Sequence, residues 1–191
     1  MSPAPALLLL SLLALATSGC STVVSSIRDE PIQDSPRERS LGTRIDDQSI
    51  ELKAEVNLKE SDPALASANI NVVSYNGVVL LAGQVPSEGL RRQAAEIVGR
   101  IQNVRAVHNE LTVGPSISWI ARGNDTWLSS KVRSRLIFTD GVDAGPVKIV
   151  TEDRTVFLMG LISRSEADRV VATVQKTSGI RKIVRVFEYI D

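Results

Sequence analysis

Apolar residues recur along this 191-residue chain in two rhythms, first at every fourth position and then in short continuous runs. Ile50, Ala54 and Leu58 follow the four-residue spacing that places side chains on one face of a helix. Two runs rich in Val, Ile and Leu come next, separated by "YNG", and together they predict a hairpin of two strands. A second helical period in "SEGLRRQAAEIVGRI" and the alternating segment "AVHNELTV" complete the unit. The predicted order is helix, strand, strand, helix, strand.

The same order recurs further along the chain, which indicates an internal repeat. "NINVVSYNGVVLLAGQV" aligns with "PVKIVTEDRTVFLMGLI" at an offset of 77, and the helices before them align at 78. Each first helix is expected to begin at an aspartate, a residue favoured as an N-cap. The aspartates are Asp46 and Asp47 in the first copy and Asp125 in the second. We predict an α+β protein with two tandem αββαβ domains, each a small mixed three-stranded sheet packed on two helices. They occupy residues 45–114 and 124–191, with a linker at 115–123.

The N-terminus is typical of an exported protein. Ala6 to Ala16 form an uncharged run of eleven residues, which is too short to span a bilayer but has the length of a signal-peptide core. Residues 1–19 are therefore predicted to be removed. "TSGC" before and at Cys20, the only cysteine, resembles the lipobox of bacterial lipoproteins, in which the cysteine is acylated. The alternative is an ordinary free cysteine in a cleaved secretory peptide.

Residues 20–44 are predicted to be a tether that carries the acylated cysteine. They include two prolines and several serines and have no sustained apolar period. About 24 flexible residues reach roughly 25 to 30 Å on average, so the folded part would stay near the membrane surface. By resemblance to the lipoprotein sorting rule, Ser21 after the cysteine favours the outer membrane, and the predicted location is its periplasmic face.

Charge and composition exclude several classes of function. Lys plus Arg and Asp plus Glu number 22 each, so no overall basic field would attract nucleic acid. The only histidine, His108, lies on a predicted strand, which leaves no triad or multi-histidine metal site. We expect no enzymatic activity and no cofactor other than the covalent lipid on Cys20. Gly83 and Gly160 end equivalent strands, where close packing or an unusual backbone angle explains them better than ligand binding.

The two first helices differ in charge, although the repeat gives them equivalent places. Residues 46–60 contain five acidic and two basic residues, net −3, whereas 125–139 contain one acidic and three basic residues, net +2. At about 100° per residue, Leu128, Val132 and Leu136 form a core stripe, and Trp127 lies beside it. An exposed Trp among Lys and Arg is expected of a surface that touches lipid headgroups. The predicted lipid-binding residues are Trp127, Ser130, Lys131, Arg133, Ser134, Arg135, Ile137 and Phe138.

The element order, the doubled unit and the stretches "LGTRIDDQSIE", "NDTWLSSKVRSRL" and "VFLMGLISRSEAD" resemble the BON family, specifically its dual-domain outer-membrane lipoproteins. The resemblance covers residues 43–191. It implies binding of anionic phospholipid through the first helix of the second domain, concentration at the division site and support of outer-membrane integrity.

Several alternatives remain at this stage. Trp127 could pack under the linker or against the first domain near Trp119, and Ile137 and Phe138 could be core residues. Leu52 and Val56 form a second apolar stripe that could receive the other domain. The same stripe, or exposed strand edges, could bind envelope proteins such as the outer-membrane protein assembly complex or a cell-wall amidase regulator. A passive periplasmic stress protein is a third possibility.

Overall fold

The first domain has the element order that its sequence predicts, with one additional short helix before the hairpin. In the computed structural model, which describes residues 40–191, this domain contains two helices before the hairpin and one after it. Its elements are α1 (Leu41–Ser61), α2 (Pro63–Ser67), β1 (Asn69–Tyr75), β2 (Val78–Val85), α3 (Glu88–Gly99) and β3 (Ala106–Val113). The predicted signal peptide, Cys20 and most of the tether lie outside the described residues.

The second domain repeats the first without an equivalent of α2. Its elements are α4 (Trp119–Ile137), β4 (Val147–Glu152), β5 (Thr155–Ile162), α5 (Arg164–Gln175) and β6 (Lys182–Tyr189). In both sheets the middle strand, β2 or β5, pairs antiparallel with the strand before it and parallel with the last strand. The prediction of two αββαβ units with mixed three-stranded sheets is confirmed.

Both first helices begin earlier than predicted. Ser40 and Ser118, which are equivalent in the repeat, cap α1 and α4 by accepting hydrogen bonds from the backbone N–H groups of Thr43 and Ala121. Five residues of the predicted linker 115–123 therefore belong to α4. The sequence analysis missed these starts because the first turns of both helices are exposed. The buried stripe begins only further along each helix, at Asp47 and Asp125.

The aspartates expected to cap these helices have a different role. Asp47, only 3 % exposed, accepts hydrogen bonds from the backbone N–H groups of Asn76 and Gly77 and from the Ser74 hydroxyl. These bonds hold the β1–β2 turn against the middle of α1. Asp46 beside it is exposed and makes no such bond.

Asp125 makes the equivalent contact in the second domain, where it accepts from the backbone N–H groups of Asp153 and Arg154 at 2.8 Å each. All four central turn residues have positive φ, between 44° and 74°. This is the two-residue hairpin geometry that matches strand twist, but it is unfavourable for most residues other than glycine, asparagine and aspartate. The buried carboxylate therefore stabilises a turn that Arg154 would not readily adopt alone.

The two glycines lie where the chain leaves no room for a side chain. Gly83 has φ of +133°, and a Cβ there would overlap the carbonyl oxygen of Asn69. At Gly160 the Cβ would lie 2.6 Å from the carbonyl oxygen of Pro146. Both glycines thus permit close approach of the neighbouring strand.

The two sheets pack against each other through the faces that their own helices leave open. Val73, Leu80, Phe157, Met159 and Val186 belong to this shared core, which is separate from the core of each domain. The layers are therefore helices, sheet, sheet, helices. Leu52 and Val56 do not receive the second domain, since they are 64 % and 50 % exposed on the outer face of α1.

Polar contacts border this shared core. Glu152 accepts hydrogen bonds from the side-chain amides of Asn69 and Gln84 across the domain boundary, and burial raises the pKa of Glu152 despite those bonds. Burial would also raise the pKa of Glu188, but hydrogen bonds from Arg105 and Asn76 and the charge of Arg105 outweigh it and lower that pKa.

Candidate membrane-contact site

Helix α4 presents one face to the core and the opposite face to solvent. Leu128, Val132 and Leu136 are at most 3 % exposed and pack on the second sheet. Trp127 immediately precedes Leu128 and is 63 % exposed. The alternative in which its indole packs under the linker or on the first domain is therefore wrong.

Trp127 is the centre of an apolar line that runs along the helix. Ile120, seven residues before it, is 57 % exposed, and Phe138, eleven residues after it, is 85 % exposed. At about 100° per residue these three positions fall within about 20° of one another. Gly123 and Ser134, which are small, come between them on one side of the line, and Asn124 and Lys131 border its other side. The sequence analysis missed Ile120 because it assigned residues 115–123 to a linker; a spacing of seven from Trp127 was the available signal.

Lys131 lies directly beside the indole. Its Nζ is 4.8 Å from the centroid of the Trp127 ring, and it donates hydrogen bonds to the carbonyl oxygen of Ser178 at 3.2 Å and to its hydroxyl at 2.8 Å. Arg135 follows one turn later on the same side and is exposed, and its guanidinium forms no hydrogen bond or ion pair within residues 40–191, although its carbonyl oxygen accepts from the Thr139 hydroxyl. A cation–π contact and a free guanidinium thus border one edge of the apolar line.

Arg133 does not belong to this patch. It projects from the other flank of α4, where its guanidinium donates to the carbonyl oxygen of Val147 at 2.8 Å. There it lines a cavity of about 440 Å³ between the domains, together with Tyr75 and Lys148. The three basic residues of the predicted site are therefore divided, because successive odd positions on a helix lie about 200° apart.

The remaining predicted residues flank the line. Ser130 lines the same cavity as Arg133, and its hydroxyl donates to the carbonyl oxygen of Thr126. Ser134 and Ile137 are exposed, the latter at 57 %. Ile137 and Phe138 are thus not core residues. Trp119, at the first position of α4, is 79 % exposed, but it lies about 80° from Trp127 around the helix.

Among residues 40–191 no cluster of three or more His, Cys, Asp or Glu is arranged to hold a metal ion. None of the helices in that range has the length and apolar character needed to cross a bilayer.

Comparison with known proteins gives one family and several relatives. Residues 46–115 and 124–191 each match the BON domain. The chain is 35 % identical to the outer membrane lipoprotein DolP of Haemophilus influenzae, over 92 % of this chain and 88 % of the relative. It is 33 % identical to a 21 kDa hemolysin of Actinobacillus pleuropneumoniae, over 80 % and 79 % of the two chains. It is 27 % identical to the osmotically-inducible protein Y of Escherichia coli, over 75 % and 72 %.

Proposed function

Since this chain belongs to the BON family and carries two BON domains, we propose that it is a non-enzymatic outer-membrane lipoprotein that binds anionic phospholipid through α4. In this proposal Cys20 carries the lipid anchor, and the folded domains face the periplasm. The protein supports outer-membrane integrity at the division site. The relationship to an outer membrane lipoprotein over nearly the whole chain supports the location.

The single observation that carries the lipid proposal is the exposed indole of Trp127, with the Lys131 ammonium 4.8 Å from its ring centroid. The line from Ile120 to Phe138 is about 27 Å long at 1.5 Å per residue. An apolar helix face of that length, edged by cations, suits a helix that lies in the plane of the membrane interface. The indole would sit at headgroup level, where tryptophan is enriched.

The magnitudes indicate a weak contact that depends on the anchor. Each of the two outward cations, Lys131 and Arg135, contributes about 1 kcal/mol near an anionic surface. Partial insertion of Trp127 and Phe138 adds about 1 to 2 kcal/mol each. The sum corresponds to an affinity on the order of millimolar to tens of micromolar. A short tether supplies an effective concentration of about millimolar, so α4 would respond to local lipid composition while the acyl anchor sets residence.

Vesicle binding by a chain that begins at Ser21 tests the site without the anchor. We expect binding to vesicles that contain phosphatidylglycerol, a blue shift of the tryptophan fluorescence, and little binding to phosphatidylcholine vesicles. Trp127→Glu should abolish this binding, whereas Trp119→Glu should retain most of it although Trp119 is more exposed. Equal loss in both variants would show that general tryptophan exposure, rather than the line through Trp127, governs binding.

The division of the basic residues gives a second test. Charge reversal at Lys131 and Arg135 should weaken binding to anionic vesicles roughly 10-fold or more, since each cation contributes about 1 kcal/mol. Arg133→Glu should change it little, because the Arg133 guanidinium faces the interdomain cavity. A stronger effect from Arg133 than from the other two would contradict the proposed orientation of α4.

The role in the envelope can be tested in cells. A fluorescent fusion should concentrate at the division site, and the Trp127→Glu variant should lose that concentration while it stays anchored. Loss of the protein should sensitise cells to detergents and large antibiotics. Uniform labelling of the wild-type protein would contradict the division-site role without affecting the vesicle results.

A second candidate function, contact with another protein, is favoured by a different surface. The outer face of α1 exposes large aliphatic side chains that neither domain covers.

A further inference from the structure

Helix α1 carries an apolar stripe on the side away from its own core. Leu41, Ile45, Leu52 and Val56 are 77 %, 67 %, 64 % and 50 % exposed. At about 100° per residue they fall within about 60° of one another and roughly opposite the buried residues of α1. The fold does not require them, since the positions equivalent to Leu52 and Val56 in the second domain are serines.

The proposed membrane contact does not explain this stripe. Residues 41–61 carry five acidic and three basic residues, so α1 has a net charge of −2 and would be repelled by anionic lipid. Moreover, α1 covers the outer face of the first sheet and α4 that of the second, while the inner faces pack together. A flat membrane that touches the outer face of α4 therefore leaves α1 on the far side of the molecule.

We propose that the outer face of α1 binds the same face of a second copy of this chain, with the two helices antiparallel. A two-fold axis across the middle of the helix would place Leu41 against the partner copy's Val56 and Ile45 against its Leu52. Both pairs are centred between positions 48 and 49, so one axis satisfies them together. Such self-complementarity is what a symmetric dimer contact needs.

The charges beside the stripe are self-complementary in the same arrangement. Arg44 and Glu55 lie on one flank, and Asp46 and Lys53 lie on the other. In an antiparallel pair each flank meets its own copy, so Arg44 would face Glu55 and Asp46 would face Lys53. These pairs are centred one residue from the apolar pairs, an offset of about 1.5 Å. Within residues 40–191, Arg44, Asp46 and Lys53 form no ion pair, and Glu55 has only a 4.0 Å contact with Lys59.

The contact involves a single pair of helices, which is small compared with the roughly 1,200 Å² that stable interfaces bury. The dimer should therefore be weak in solution and favoured where anchoring concentrates the protein. It also points the two α4 helices in opposite directions. Dimerisation through α1 and contact of both α4 helices with one flat membrane would exclude each other.

A charge-swap experiment tests the proposal in the chain that begins at Ser21, which contains the core of each domain and the shared core. Sedimentation equilibrium from about 10 μM to about 1 mM should show a rise toward the dimer mass. Arg44→Glu and Glu55→Arg should each weaken association about 5- to 10-fold, since the symmetric dimer loses two surface ion pairs and gains like-charge contacts in their place. The double variant should restore it. Because positions 44 and 55 lie about 16 Å apart along one helix, that rescue requires a second copy.

An apolar variant and its control complete the test. Leu52→Asp should abolish association, whereas Asn57→Asp, exposed on the same helix but off the stripe, should leave it unchanged. Circular dichroism would verify that each variant is folded. A monomer mass at 1 mM, a double charge variant no better than the single variants, or association by Leu52→Asp would each overturn the proposal.

Discussion

Removal of the Asp47 carboxylate should destabilise the protein far more than removal of its neighbour. Asp47→Ala deletes an acceptor that is 3 % exposed and receives three hydrogen bonds, of 2.7 Å from the Ser74 hydroxyl and 2.9 Å each from the backbone N–H groups of Asn76 and Gly77. Asp46→Ala makes the same chemical change one position earlier on the exposed side of α1. Both variants gain the same helix propensity, so that contribution cancels in the comparison.

The expected magnitude follows from the number and type of these bonds. Hydrogen bonds to a charged group contribute about 1.5 to 3 kcal/mol each, but the turn amides of Asn76 and Gly77 can recover part of this through water. We therefore expect a loss of about 3 to 5 kcal/mol in the free energy of unfolding for Asp47→Ala, and less than about 0.5 kcal/mol for Asp46→Ala. If the docked domains unfold together, 1 kcal/mol corresponds to about 2 to 4 °C in Tm, which gives a decrease of about 6 to 20 °C.

Thermal and urea unfolding, followed by far-ultraviolet circular dichroism, would measure the difference. Asp47→Asn, which keeps one acceptor oxygen and has no charge, should fall between Asp47→Ala and the wild type. If Asp47→Ala melts within 1 or 2 °C of Asp46→Ala, the carboxylate does not stabilise the hairpin as we infer.

Three further predictions concern the strand glycine and the domain interface. Gly83→Ala should lower stability by more than about 2 kcal/mol because its φ is +133°, whereas Gly89→Ala, in a helix, should raise it slightly; urea unfolding measures both. Phe157→Ala, which removes a 3 % exposed ring from the shared core, should cost about 3 to 5 kcal/mol and split a single calorimetric transition into two. Retention of one sharp transition would show that the Phe157 ring is not what couples the unfolding of the two domains. Glu188→Gln should lower Tm at pH 7, because the pKa of Glu188 is lowered in the folded protein and its carboxylate stabilises the fold only while it is ionised. The difference should shrink as the pH falls below about 4.3, the ordinary pKa of glutamate, and through the lower pKa of the folded state. An unchanged difference at pH 3 would contradict the role of the pair with Arg105.

Local periodicity was sufficient to predict the architecture of each domain. The spacing of Ile50, Ala54 and Leu58, and of their counterparts on α4, identified the buried face of both first helices, because that face depends on contacts within one unit. The turns at "YNG" and "EDR" were also found at their observed positions. Helix starts were missed since capping by Ser40 and Ser118 occurs outside the apolar period.

The sequence contains an indication that the first sheet is covered on both faces, which the sequence analysis missed. Every residue of β2, "VVLLAGQV", is buried, and a continuous apolar run of this kind indicates a strand that is covered on both faces. The helices of the first domain can cover only one face of its sheet. The sequence could thus have indicated that a partner layer exists, although not that the second domain supplies it.

The sequence predicted the centre of the candidate site, but the structure changes which residues surround it. Exposure of Trp127 followed from its angle to the core stripe, and Lys131 and Arg135 lie on its side of the helix. Arg133 is close in sequence to both, but it binds the carbonyl oxygen of Val147 on the opposite flank. Proximity in sequence therefore overestimated the basic patch, and the true start of α4 added Ile120 to the apolar line.

The sequence by itself determined the repeat, the two mixed sheets and the buried face of each first helix, because the spacing of apolar residues sets which positions of a helix or strand are buried. Tertiary structure decided which of the apolar faces not covered within one domain stay exposed to solvent. The inner faces of the sheets cover each other, while the outer faces of α1 and α4 stay in solvent on opposite sides of the molecule. Whether an apolar face is covered depends on segments far away in the chain, and no local pattern specifies their position.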